Sequence, residues 1–281
     1  MMRTGVKKKY RAWIAGCLLA VCACLPLLSY ADTYEGPGWD TPEEAVMLYL
    51  EGMREQDVDK MVSACAVETH VDRFDMQAQL ERVRAYTPAM IPRVPNSSDL
   101  LRTINIEIRR SSIMHAILWQ VTAVCLDDKA YDFSQAIPFT GDNADEEIRA
   151  FVESFQKGFG EVDFSDLSVL GFLPPEQLSE LYASERNQEN IKAQIAPFGA
   201  EESRSVIAVF TVGDRLGALF CDAARYGDKW FIHNAHGNAA MLVGLPAASY
   251  GMFFGPAEAL ISALRGVGVD ADTLLGNLVA P

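Results

Sequence analysis

The chain has 281 residues, 49% hydrophobic, 10% aromatic and 22% charged, a composition that excludes a collagen, a low-complexity chain and a disordered acidic tail. Its length fits one large domain, or one domain with an appendage. The formal charge is −14, from 24 basic and 38 acidic residues, and so acidic a surface repels phosphate backbones and anionic lipid heads, which argues against a nucleic-acid partner.

Residues 1–31 stand apart. Arg3, Lys7, Lys8, Lys9 and Arg11 occur with no acidic residue, an uncharged run extends from Ala12 to Ala31, and Ser29-Tyr30-Ala31 is a small-x-small pattern. A basic start, an apolar stretch and small residues at the cut describe a secretory signal peptide; an uncleaved anchor is the competing reading. Ile14-Ala15-Gly16-Cys17 has the letters of a lipoprotein box, but only five residues separate Arg11 from Cys17, too few for an apolar segment ahead of a cut. The protein is therefore expected to be secreted or extracytoplasmic. Cleavage after Ala31 would remove five of the 24 basic residues and no acidic one, leaving a charge of −19. Cys17, Cys22 and Cys24 would leave as well. Cys65, Cys125 and Cys221 would remain, an odd and widely spaced set that reads as buried thiols instead of a disulfide framework.

Residues 32–40 read as a flexible lead-in, and an α+β domain is expected over 41–238. Thr41 is an N-cap, Pro42 occupies the first helical position, and Glu44 completes a capping box. Val46, Tyr49, Leu50 and Met53 then follow at helical spacing. Asp57 caps a second helix carrying Val58, Met61, Val62 and Cys65, and residues 74–87 allow a third before the proline-rich stretch Pro88 to Pro95. From residue 103 the period changes to two. Ile104, Ile106 and Ile108 alternate with Thr103, Asn105, Glu107 and Arg109, so a strand is expected there, with a turn at Ser111-Ser112 and a second strand over 113–126.

A helix near 143–159 follows, with the stripe Ile148, Phe151, Val152, Phe155 and Phe159, and Pro174-Pro175 opens another helical stretch to about Ile195. Residues 204–212, 215–225 and 229–235 are strand-like runs separated by Gly213-Asp214 and Gly227-Asp228. Glycine first in a two-residue loop suits a type II′ turn, so a three-stranded meander is predicted. Residues 230–257 carry no formal charge. Gly244, Pro246, Gly251 and Pro256 weaken a membrane helix at 239–257, no basic cluster flanks it, and no stable transmembrane span is expected there. Within the C-terminal segment 239–281, residues 239–257 are instead expected to pack on the sheet or cover a partner, and a short helix is expected at 257–265.

The opening TPEEAVMLYLEGMREQDVDKMVSACA resembles the N-terminal helical hairpin of secreted bacterial members of the nuclear-transport-factor-2-like, cystatin-like superfamily, and RYGDKWFIHNAHGN resembles their last strand. The resemblance implies N-terminal helices packed on a curved antiparallel sheet that encloses a cone, with additional helices inserted in the middle of this chain. Members of that superfamily include isomerases, dehydratases and domains without catalysis, so fold alone does not select an activity.

Chemistry-bearing patterns are sparse. His233 and His236 form HxxH without the glutamate of a zincin and without an evident third ligand, so no metal is assigned. His70, Asp72 and Asp75 can act as acid, base or ligands, or simply begin a helix with an aspartate cap. Asp142, Asp145, Glu146 and Glu147 lack the calcium-loop pattern and suit a helix N-terminus. No GxSxG, P-loop or GxGxxG occurs, and no cofactor is assigned. Tyr49, Trp119, Trp230 and His233 are the candidate lining of an apolar ligand pocket. The leading expectation is an exported, non-catalytic domain that binds a small molecule, an envelope component or a partner protein. The alternative is a pocket enzyme of the ketosteroid isomerase or dehydratase type, using a buried His or Asp, with His233 as the candidate acid/base. Mass spectrometry of exported protein should find Asp32 at the N-terminus; a retained leader or a lipid-modified Cys17 would contradict cleavage after Ala31.

Overall fold

The first helix forms where its signals lie. In the computed structural model, which describes residues 33–86, 93–125, 136–237 and 251–266, helix α1 spans Pro42–Glu55. The Thr41 hydroxyl accepts from the Glu44 amide, and the Glu44 carboxylate reaches back to the Thr41 amide. Each satisfies a group that a helix end leaves open. Val46, Tyr49, Leu50 and Met53 form its buried stripe. Asp57 caps α2 (Val58–Ser63), after which come α3 (Glu68–Asp72) and α4 (Met76–Val83), the latter capped by Asp75. The expected signal segment 1–31 and the proline-rich residues 88–92 lie outside the described residues.

Residues 103–125 overturn the expected strand pair. They belong to one 27-residue helix, α5 (Asp99–Cys125), with the Ser98 hydroxyl accepting from the Leu101 amide at its start. Its buried side carries Ile106, Arg109, Ile113, Ile117, Gln120 and Val124, a helical period in which two positions are polar. Leu100, Ile104 and Ile108 lie on the exposed side. The alternation of Ile104, Ile106 and Ile108 is thus the crossing of two helical faces, and tertiary burial overrides the weak helix preference of isoleucine. Helix α6 (Ala144–Glu161) forms as expected, but none of its side chains is fully buried. Phe151, Phe155 and Phe159 stack in series along it, and Phe159 packs against the core.

Strand β1 (Ser168–Leu173) precedes the short helices α7 (Pro175–Leu178), α8 (Glu180–Ala183) and α9 (Glu185–Ile195). The predicted meander follows as β2 (Glu202–Val212), β3 (Arg215–Tyr226) and β4 (Lys229–Asn234). Gly213 and Gly227 have φ of 60° and 68°, and neither following aspartate has a positive φ, which is the sign pattern of a type II′ turn. The antiparallel order is β1-β2-β3-β4, and β5 (Met252–Pro256) joins the same edge of β3 that β4 uses. β5 pairs with Arg215–Leu219 and β4 with Asp222–Tyr226. The Phe210 ring lies over Gly217 in the β2–β3 register; an added Cβ there would stand 2.3 Å from Cζ.

The outer edge of β4 is closed by two short pieces of chain. Trp39 and Trp230 exchange backbone hydrogen bonds of 2.8 and 3.1 Å, and Ala64 and Ala66 bond Ile232 on either side of the Cys65–Ile232 bridge. Pairing these groups removes the association hazard of an open edge. Helix α1 packs across β2, β3 and β4. The core there joins Tyr49, Leu50 and Met53 to Phe210, Leu219, Cys221 and Ile232. The architecture is α+β, with helices on an antiparallel sheet and further helices inserted between the N-terminal hairpin and the meander.

Of the uncharged C-terminal segment, residues 239–250 lie outside the described residues. Met252 is fully buried opposite Leu219, and helix α10 (Ala257–Gly266) follows. Burial of each large apolar side chain contributes about 1.5–3 kcal/mol, so deletion of residues 239–281 should lower the melting temperature or the solubility of the mature protein. A truncated protein that stays monomeric and melts unchanged would show the segment to be dispensable.

Candidate functional site

Of the four side chains expected to line an apolar pocket, Tyr49 and Trp230 share one core, and Trp119 and His233 lie outside it. Tyr49 is fully buried beneath the sheet, and its hydroxyl donates to Gln120 Oε1 at 2.6 Å. Gln120 Nε2 in turn donates to the Ala235 carbonyl at 2.6 Å, so these polar groups are consumed by one another. Trp230 belongs to the same core, with the Arg204 guanidinium 5.4 Å from its ring centre. Trp119 is half-buried on α5, and its indole N–H donates to His115 Nε2 at 2.7 Å. Only His233 enters a polar cluster.

His233 sits where β4 slips register with β3. Ala223 pairs with Ile232 while Asp222 pairs with Asn234, so His233 is the extra residue of a bulge, a device that re-aims a side chain. Its ring lies 4.8 Å from that of His70 and 5.3 Å from that of Phe198. His70 stacks on Phe198 at 4.1 Å. Arg93 completes the group: its Nη1 donates to His70 Nε2, and its guanidinium lies 5.3 Å from the Phe198 ring centre. His70 comes from α3, Phe198 from the turn before β2, and Arg93 from the stretch before α5. No periodicity links them, and only His70 and His233 were visible as candidates in the sequence.

The electrostatics of the cluster are one-sided. Arg109, buried on α5, donates from Nε to the Ala66 carbonyl at 2.9 Å and from Nη2 to the His233 carbonyl at 2.5 Å. Burial, then the Arg109 and Arg93 charges, push His233 down to about 3. The same burial, with Arg109, His233 and Arg93, holds His70 well below the usual histidine range. Burial also brings Arg93 down to about 9 and raises the Tyr226 phenol to about 12. Both rings are therefore neutral at pH 7. The carboxylate acting on Arg109 is Glu35, whose oxygens accept from the Val67 and Thr69 amides, each at 2.8 Å, and from the Thr69 hydroxyl.

The remaining candidates have local roles. Asp75 is a helix cap, and Asp72 pairs with Arg102 through two bonds of 2.7 Å. His236 is exposed in the bend after β4, where its amide and carbonyl bond the Asn234 side chain. Cys65, Cys125 and Cys221 are buried and free, and burial raises Cys65 to about 12 and Cys125 to about 11. A residue the sequence did not single out is Asp222, which accepts from the Ser205 hydroxyl at 2.7 Å and from Asn234 at 3.3 Å; burial raises its carboxyl. Among the described residues no trio of His, Cys, Asp or Glu is grouped to hold a metal ion, and no helix is long and apolar enough to cross a membrane.

No family model matches the sequence, and no curated protein matches it. Among solved structures, the chain is similar to a cystatin-like protein from Ruminococcus gnavus, with a TM-score of 0.37 and 17% identity over 76% of this chain. The match spans 44% of that protein's length, and a likeness of this size carries no inference about function.

The cluster has a pH signature. The unfolded histidine value is about 6.5 and His233 in the fold is near 3. Between these values the unfolded chain binds the proton and the folded one does not, so stability falls as pH is lowered through this window. Glu35 and Asp222, both raised by burial, act in the opposite sense. Replacing His233 isolates its part: His233→Asn should flatten the decline of the urea midpoint between about pH 6.5 and 5. An unchanged slope would place the His233 ring in contact with solvent and away from the arginines.

Proposed function

We propose that the chain is an exported domain that binds a small molecule, an envelope component or a partner protein without catalysing a reaction. The observation that carries this reading is the setting of His233. The ring best placed as an acid/base stands among Arg93, Arg109 and His70, with its pKa pushed to about 3, far below the value a general acid or base needs near neutral pH. The space between α1 and the sheet is filled by Tyr49, Leu50, Phe210 and Ile232, which supports the same conclusion. Export rests on the basic start and uncharged run of residues 1–31.

A second reading, a pocket enzyme of the isomerase or dehydratase type, draws on Asp222, a buried carboxyl with a raised pKa. The two readings separate in deuterium oxide. Incubation of the mature protein with a panel of enolisable ketones should give no deuterium incorporation above the uncatalysed rate. Multiple-turnover incorporation that is lost in Asp222→Asn or His233→Gln would replace the binding reading with the enzymatic one.

A further inference from the structure

The cluster around Phe198 has an excess of hydrogen-bond donors. A guanidinium can only donate, so His70 Nε2 accepts from Arg93 Nη1 and is unprotonated. A neutral His70 ring must then carry its proton on Nδ1. That Nδ1 is buried and has no hydrogen-bond partner, and the same holds for Arg93 Nε, His233 Nδ1 and the Tyr226 hydroxyl. His70 itself is only 2% exposed. Arg93 Nε and His70 Nδ1 are donors without an acceptor, and Tyr226 can donate as well.

Charge points the same way. The ion pairs among the described residues engage other cations, such as Arg102 with Asp72 and Arg225 with Glu201 and Glu202; none involves Arg93 or Arg109. Arg73 adds a third guanidinium, 5.4 Å from the Tyr226 ring centre. Glu35 acts on Arg109 and Tyr226 at a distance, but its oxygens already take three bonds from Val67 and Thr69. Burying cations and N–H donors without an acceptor is costly, and a cation would be repelled from such a site.

We propose that Arg93 and His70, with His233 and Tyr226 beside them, form a binding site for a small oxyanion, a phosphate or carboxylate group. Such a group supplies acceptors for the open donors and a negative charge for the unpaired guanidinium. Arg93 carries the charge-assisted contact, and Phe198 holds Arg93 and His70 against its ring. The net charge of −14 disfavours polyanions more than a singly or doubly charged ion.

This deepens the binding reading by naming a ligand class, and the test is separate from proton exchange. The melting temperature of the mature protein is measured at pH 7 with sodium phosphate, sulfate or acetate against sodium chloride of equal ionic strength. At least one oxyanion should give a rise that grows with the logarithm of its concentration and reaches about 3–6 °C at ten times its Kd, and the identity of that ion distinguishes phosphate from carboxylate. Arg93→Gln should abolish the rise or weaken binding at least tenfold. In the unsubstituted protein, titration with the same ion should shift the ring proton resonances of His70 and His233, which keeps the test valid if Arg93→Gln does not fold. Absence of a rise beyond chloride, a rise retained in folded Arg93→Gln, or unmoved His70 and His233 resonances would each overturn the site. The non-catalytic reading would still stand in those cases, because it falls only to turnover in deuterium oxide.

Discussion

Arg109 ties the long helix to the sheet. Its guanidinium bridges the Ala66 carbonyl, at the end of the strand-like piece Ala64–Ala66, and the His233 carbonyl, at the end of β4. Those two segments already pair through Ile232, so Arg109 continues their ladder where backbone partners run out. A buried carbonyl left open costs about 1–3 kcal/mol, and one side chain from α5 covers two. Farther along the same buried stripe, Gln120 does similar work for the Tyr49 hydroxyl and the Ala235 carbonyl. Helix α5 is thus held by polar side chains that complete backbone pairing, as well as by Ile106, Ile113 and Ile117.

This explains why α5 was the element that sequence reasoning misassigned. A buried helical stripe is recognised by apolar residues three and four apart, and here Arg109 and Gln120 interrupt it. What survived was the local alternation of Ile104, Ile106 and Ile108, which mimics a strand. The elements whose signals are local came out correctly. Thr41, Pro42 and Glu44 specify α1 through bonds within one turn, and Gly213 and Gly227 specify hairpins through their own positive φ. The candidate site was legible only in part. His70 and His233 are rare residues and drew notice, whereas Arg93, Phe198 and Tyr226 join them through pairings no spacing encodes.

Two kinds of buried polarity coexist in this molecule. Around Gln120 each group has its complement: a hydroxyl meets an amide oxygen, and an amide N–H meets a carbonyl. Such a network rigidifies a core and leaves nothing for a ligand. Around Phe198 the complement is missing. Donors and cations converge from α3, the stretch before α5 and the bulge of β4; the His70 Nε2 acceptor is taken by Arg93, and Arg93 Nε and His70 Nδ1 are left without one. The same α5 helix borders both regions, Gln120 in the first and Arg109 next to the second.

The position of the bulge connects these regions. Without the slip at His233, β4 would alternate regularly and the Asn234 side chain would not meet Asp222. With it, the His233 carbonyl is presented to Arg109 and its ring turns to His70 and Phe198. One extra residue thus brings a fixed backbone anchor and an adaptable side chain to the same point. Arg109 is held in place by the carbonyls of Ala66 and His233, and its charge adds to the burial that keeps both histidines neutral. A neutral His70 that accepts from Arg93 is what leaves the Nδ1 proton free to donate. The structural tie of α5 to the sheet therefore reinforces, through Arg109, the neutral state that burial imposes on the histidines of the cluster beside it.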